Sequence, residues 1–436
     1  MAKRYISLLL YFTVLLASIT GVHYYVPRHE QATLFLALIV AFVAYLLAVK
    51  QSNQLSLPVI LWLASLVRLV LFFGLPTLSD DFYRFIWDGR LLVSGINPFS
   101  QLPSYYLSNP FPGYSKEIFE LLNSKEYFTI YPPISQLIFW ISATLGNHQM
   151  IMEVFWMRLI LALFDLGNVL LIYRIVKSFG GKSKAAMLYA LNPLIILELI
   201  GNLHYEGVMI FFVLCSVYFL KLGRDSLSSV GMSLGVAAKL IPLLFLPYFL
   251  KFEWKSIRYY LIFFASLIVC FLPLVSQELV DGLYASISLF FVKFEFNASL
   301  YFLFREIGYY LEGYNLIGII GPLLKLVTVV LVLFIAYAFR KRRNDEMVVF
   351  MLMYFTYLAF STTVHPWYVI PVLTFSLFTS FNFAIVWSGL VFLSYVGYSL
   401  EGYQPNYWAF VLEYAPVYAL FGWELYKKKQ YADVNI

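Results

Sequence analysis

Apolar runs close to twenty residues long alternate with short polar stretches along the whole chain. About fourteen such runs begin near residues 5, 31, 58, 134, 150, 186, 205, 229, 257, 314, 346, 367, 383 and 407. A helix needs about 20 apolar residues to cross a bilayer, whereas a membrane barrel would show alternating segments of about ten. The pattern predicts an all-α polytopic membrane protein. Two runs fit a span poorly. ISQLIFWISATLG (134–146) is short, and SSVGMSLGVAAKLIPLLFLPYFL (228–250) is broken by Lys239 and Pro242 and flanked by basic residues. Reading the first as juxtamembrane and the second as re-entrant leaves twelve crossings, the preferred count; full crossings for both give fourteen.

Composition agrees with the pattern. The 436 residues are 61% hydrophobic and 12% charged, against about a quarter charged in a soluble domain. The net charge of +6 does not call for nucleic acid, because the basic residues sit in short loops. They are Lys3/Arg4, Lys177/Lys182/Lys184, Lys221/Arg224, Lys251/Lys255/Arg258, Arg340 to Arg343 and Lys427 to Lys429. Such clusters mark the cytoplasmic side. That orientation puts the loops 77–133 and 276–312 and the tip HPWY (365–368) outside, with GNLHYEG (201–207) beside them in the twelve-crossing arrangement.

The run after MAKR reads as a retained signal anchor, since many spans follow it. Cys215 and Cys270 lie within apolar runs, which argues against a disulfide framework or a zinc ribbon. No soluble domain, low-complexity tail or repeat interrupts the chain, so residues 1–436 read as one membrane domain. Within loop 77–133, SKEIFELLNSKEYF is amphipathic and is expected to lie along the membrane surface.

One stretch departs from the apolar background. LSDDFYRFIWDGRLLVSGINPF (78–99) sets Asp80 and Asp81 directly after an apolar run. Burial near an apolar wall raises a carboxylate pKa, and a base that strips a hydroxyl proton needs such a group within reach of its substrate. Arg84, Trp87 and Asp88 fall on one helical face, and Arg84 and Asp88 could equally be a simple surface pair at i,i+4. Gly95 and Pro98 should end that helix. Lys239, inside an apolar run, should face a polar cavity or a phosphate unless it snorkels to the interface. His204 and His365 carry no metal-binding spacing. NAS (297–299) matches a glycosylation acceptor, a match that arises readily by chance.

Taken in order, SDDFYRFIWDGRLLVSGINPF, YPPISQ, NPLIILELIGNLHYEG, the Lys-Leu-Ile-Pro step and HPWY resemble the polyprenyl-phosphate-sugar-dependent C-type glycosyltransferases, particularly the bacterial mannosyltransferase-like group. The resemblance covers residues 76 to 371. It implies inverting transfer of a hexose, mannose in this group, from a polyprenyl phosphate to a hydroxyl on a lipid-linked glycan, glycolipid or protein. The protein would sit in the bacterial inner membrane with its site facing outward.

By the same resemblance a first-loop Asp is the base, by position Asp80 or Asp81; the first of the pair, Asp80, is preferred, with Asp81 supporting it or holding a divalent cation (Mg or Mn). No cofactor is obligatory. Arg84, Arg90, Lys239, His204 and His365 become candidates for the donor phosphate. Trp87, Asp88, Asn97, Tyr131, Gln136, Asn202, Glu206, Trp367 and Tyr368 become candidates for sugar or acceptor, although the aromatics also suit an interfacial belt. Glu206 departs from the shorter Asp expected there, and the first 50 residues look like an addition. A flippase, which should show repeats or paired broken helices, a glycan polymerase or ligase, and a non-catalytic scaffold are the competing readings.

Overall fold

A computed structural model describes residues 2–52, 55–178, 183–250, 254–279, 282, 294–340 and 345–434, without the side chains of residue 2 and of 429–434. Lys182, Lys251, Arg342, Arg343, the Lys429 side chain and most of 280–293 lie outside the described residues. Most of the rest is helical. In order come α1 (Ala2–Tyr25), α2 (Gln31–Gln51), α3 (Leu57–Leu69), α4 (Asp81–Val93), α5 (Lys116–Leu121), α6 (Pro133–Gly146), α7 (Met150–Ser178), α8 (Lys184–Ala190) and α9 (Pro193–Ile195). A π-turn (Ile196–Gly201), α10 (Glu206–Lys221), α11 (Asp225–Ala238), a 3-10 segment (Ile241–Phe249) and α12 (Trp254–Phe271) follow. The C-terminal third adds further helices, the longest being Ile317–Phe339 and Tyr407–Val434, and a hairpin pairing Tyr398–Ser399 with Gly402–Tyr403.

Among the described residues, α1, α2, α7, α12 and Ile317–Phe339 are long and apolar enough to cross a membrane, and α8 with Pro193–Gly201 is a sixth if the bent pair counts as one span. The fold is therefore a polytopic helical membrane protein. The other apolar helices are shorter than the expected spans because proline and non-α turns interrupt them. Pro133 and Pro193 open helices, Pro242 opens the 3-10 return, and the π-turn breaks the run at 196.

Small residues set the register of α10 against α11. A Cβ on Gly231 would lie 3.0 Å from the Ser216 backbone nitrogen, and one on Gly235 would lie 3.2 Å from Val213. Ser216 and Ser228 share a hydrogen bond of 3.0 Å at the turn. Glycines four apart let two backbones approach closely. One further turn along, the same face of α11 ends at Lys239, which pairs with Glu206 at the start of α10. After Lys239 comes the 3-10 segment, whose end at Phe249 stacks on Tyr259 at 4.6 Å, and the Tyr259 carbonyl accepts from Ser229 near the start of α11.

The short run 134–146 starts beside the end of α11 and finishes against α7. Ser135 donates to the Ala238 carbonyl at 2.8 Å, while Gly146 at the other end of α6 lies against Glu153 in the first turn of α7. Polarity is consistent along the bundle. Glu206 and Lys221 end α10, Lys221 pairs with Glu346 at 3.1 Å, and Arg4 donates to the Gln51 carbonyl at 2.6 Å. The described basic clusters thus lie at the end opposite Asp80, Lys239 and Glu206.

Helix α4 ends as its sequence predicts. Gly95 adopts φ +73°, its N–H donates to Leu92 and that of Ile96 to Leu91, closing the helix with a left-handed residue. Gly89 is needed for contact, since a Cβ there would lie 2.5 Å from the Phe139 carbonyl on α6. The piece 115–128 behaves differently from expectation. Only Lys116–Leu121 is helical, capped by Ser115, and Ile118 and Phe119 are buried. Phe119 packs under Trp87, so the apolar face of this piece is covered by protein.

Candidate active site

Leu78 donates its N–H to Asn202 at 3.2 Å, which anchors the turn leading into α4. The two consecutive carboxylates after it face different partners. Asp80 accepts from Arg28 Nη2 at 2.6 Å and keeps 44% of its side chain exposed. Arg28 comes from the α1–α2 turn and also lies over the Tyr398 ring at 4.7 Å. Asp81 opens α4, half-buried, and accepts from Asn123 at 2.8 Å. Burial pushes the Asp81 carboxyl above the usual carboxylate range; the Asn123 hydrogen bond and the Lys239 and Arg28 charges oppose it, and the Asp80 charge adds to it.

Lys239 lies near enough to Asp81 for its charge to act on that carboxyl. Its ammonium pairs with Glu206 and lies 4.9 Å from the centre of the Tyr368 ring. Glu206 is fully buried, with its second oxygen unpartnered. Beneath it, Glu198 accepts from Tyr395 at 2.9 Å and Asn202 at 3.1 Å, with His204 Nε2 at 3.5 Å. The π-turn makes this grouping possible: Asn202 N–H reaches back to Leu197 and His204 N–H to Glu198, with Leu203 left-handed at φ +65°. A non-glycine residue there is strained, and π-turns recur at functional sites.

The HPWY tip closes the site with stacked rings. His204 lies on Trp367 at 3.5 Å between centroids, Trp367 on His365 at 4.4 Å, and His365 on Phe296 at 4.6 Å. Phe296 and Val364 exchange backbone hydrogen bonds with the facing segment, which fixes the tip. Burial, and then the Lys239 charge, push His365 down to about 3, and burial with the same charge pushes His204 well down. Both imidazoles are therefore neutral, leaving Lys239 as the cation. Tyr131, packed edge-on to Phe85 at 4.9 Å, borders the same space; burial first and the Asp81 charge next raise its pKa.

Other candidates are engaged by partners within the protein. Arg84 and Asp88 pair at 2.7 Å, but both are buried, so this is no surface pair. Arg84 also donates to the carbonyls of Tyr127 at 2.8 Å and Ser124 at 3.2 Å, while Gln136 donates to Asp88 at 3.0 Å. Arg90 grips Glu153 with two bonds of 2.9 Å and also reaches the carbonyls of His148 and Gly113. Asn97 donates to Leu274 at 3.0 Å and accepts from Phe99. Trp87 is enclosed by Tyr106, Phe111, Tyr114 and Phe119. Asn297 is buried against Glu413 and Tyr414, which leaves it inaccessible for glycosylation.

Four contributors were missed. Glu198 is a charge inside an apolar run, a signal of function that the sequence carried. Arg28, Asn123 and Tyr395 carried none, because only tertiary contact brings them in. Among the described residues no three of His, Cys, Asp and Glu converge as a metal site, and Cys215 and Cys270 are free thiols.

A family model described as alpha-(1->6)-mannopyranosyltransferase, N-terminal domain, matches residues 13–254. Since the match begins inside α1, the first two helices belong to the family's domain and are not the addition expected; Arg28, which holds Asp80, lies in the turn between them. Among curated proteins no match is found. The match spans more than half of the chain and includes the carboxylate pair, Glu206 and Lys239, and the chain belongs to the alpha-(1->6)-mannopyranosyltransferase family.

Proposed function

We propose that this protein transfers mannose, with inversion, from a polyprenyl-phosphate donor to a hydroxyl of a glycan acceptor at the outer face of the membrane. The observation that carries the reading is that the Lys239–Glu206 pair lies near enough to Asp81 for the Lys239 charge to favour the ionised carboxylate. The expected twelve crossings and the outward site belong to the same proposal. They are supported by the separation of the basic clusters from the carboxylates along each helix.

In this mechanism the acceptor oxygen attacks the anomeric carbon from the face opposite the phosphate. Its bond to that carbon forms as the carbon–oxygen bond to the phosphate breaks, and the electron pair leaves with the phosphate. The hydroxyl proton passes to a carboxylate. Asp81 is favoured over the Asp80 expected from sequence: a desolvated carboxylate is the stronger base, and Asp80 is already neutralised by Arg28. Lys239 then meets the charge on the departing phosphate, released from Glu206 as the phosphate arrives. An α-linked product by inversion requires a β-linked donor. A divalent cation beside Asp81 would draw further ligands from the donor, since among the described residues no three of His, Cys, Asp and Glu converge there.

Purified protein incubated with polyprenyl-phosphate-mannose and octyl α-mannoside should form a mannosyl-mannoside and release polyprenyl phosphate. Turnover of GDP-mannose instead would replace the donor assignment. Movement of the lipid across vesicles without any transfer would favour the flippase.

A further inference from the structure

We infer that the cleft beside Asp80, formed by the α1–α2 turn, is the acceptor-sugar subsite, an assignment that rests on the proposed transfer. The cleft holds about 310 Å³ and opens to the outside of the protein. That is the lower end of the range for ligand pockets, which suits a short glycan end and not a long chain. Its lining includes Tyr24, Tyr25, Arg28, His29, Thr77 and Asp80.

The chemistry of that lining is what a sugar requires. Aromatic faces cover the C–H side of a pyranose, while charged and hydroxyl groups bind its hydroxyls, and Tyr combines both in one side chain. Tyr25 stands 79% exposed at the lip. Tyr24 is fixed in place, because its hydroxyl donates to the Val70 carbonyl at 2.8 Å. The turn is stiff as well: Glu30 N–H closes on the Pro27 carbonyl at 3.0 Å, and Arg28 is held between Asp80 and Tyr398. Rigid polar groups bind at low entropic cost.

Position completes the argument. The donor side, with Lys239, Glu206 and the stacked rings, lies around Asp81. The cleft lies around Asp80, the preceding residue. Lys239 and Glu206 do not line the cleft, so a sugar in it would bring a hydroxyl to the carboxylate pair while leaving the place of the phosphate beside Lys239 free.

The test separates this assignment from the transfer reading. A His29→Cys protein, with Cys215 and Cys270 replaced by Ala, is labelled with a water-soluble maleimide. Added α-(1->6)-linked mannobiose should slow labelling, while polyprenyl phosphate should not. This readout needs no turnover, so it stands even if the donor assignment fails. Kinetics then give the second arm: Tyr25→Ala should raise the acceptor KM about tenfold at unchanged donor KM, and Tyr25→Phe, which keeps the ring, should restore most of it. No protection by mannobiose, protection by polyprenyl phosphate instead, or a Tyr25→Ala effect on donor KM alone would overturn the subsite.

Discussion

Lys239, the last residue before α11 turns back, pairs with Glu206, the first residue of α10. The pair sits where two close-packed helices end together, with Glu206 fully buried and Lys239 partly open. Removing one partner of such a pair leaves an uncompensated charge and costs about 3–5 kcal/mol when burial is complete. Lys239→Met should therefore lower the unfolding temperature and weaken donor binding together. Adding Glu206→Gln should recover the stability but not the donor binding. Thermal unfolding in detergent beside donor titration separates the two; recovery of both would make Lys239 purely structural.

Asp81→Asn keeps shape and polarity but removes the base, and should slow transfer by roughly 10²–10⁴-fold. Asp80→Asn should leave more activity, since its carboxylate already serves Arg28. A dead Asp80→Asn protein beside an active Asp81→Asn protein would restore the order expected from sequence.

The raised pKa of Asp81 gives two linked pH effects. Transfer needs the ionised form, so kcat/KM should fall on the acid side at a pH above the ordinary carboxylate range. Stability runs the other way. The folded protein holds this proton more tightly than the unfolded chain, so the group's contribution is full below the unfolded value and is lost as pH rises through the folded one. Asp81→Asn should accordingly be the more stable protein at neutral pH, measured by thermal unfolding, despite its lost activity.

Arg90 offers a contrast. Its two bonds to Glu153 are buried, so Arg90→Met should destabilise by about 3–5 kcal/mol through the stranded Glu153. Folded protein should keep its donor KM. A raised donor KM at normal stability would return Arg90 to the phosphate.

Orientation is testable by labelling single cysteines in intact cells, with Cys215 and Cys270 replaced. Glu120→Cys should react with an impermeant reagent, and Arg224→Cys only after permeabilisation. The reverse pattern would turn the site to the cytoplasm.

Hydropathy, charge and glycine placement are properties of the chain itself, and they sufficed for the membrane class, the helical fold, the distribution of basic clusters and the end of α4 at Gly95. The motifs likewise carried the family, and they marked Asp80, Asp81, Lys239, Glu206 and the HPWY tip as worth attention. Which groups share a space was decided elsewhere. Arg84, Asp88 and Arg90 look as catalytic in sequence as Asp81 does, yet in the fold they are held by partners from residues 124–127, 136 and 153. Asp80 and Asp81 are identical and adjacent. Arg28, 52 residues earlier, and Lys239, far downstream, give them different surroundings. Local sequence has no term for such partners, because the cost of burying a charge depends on what the folded chain brings beside it.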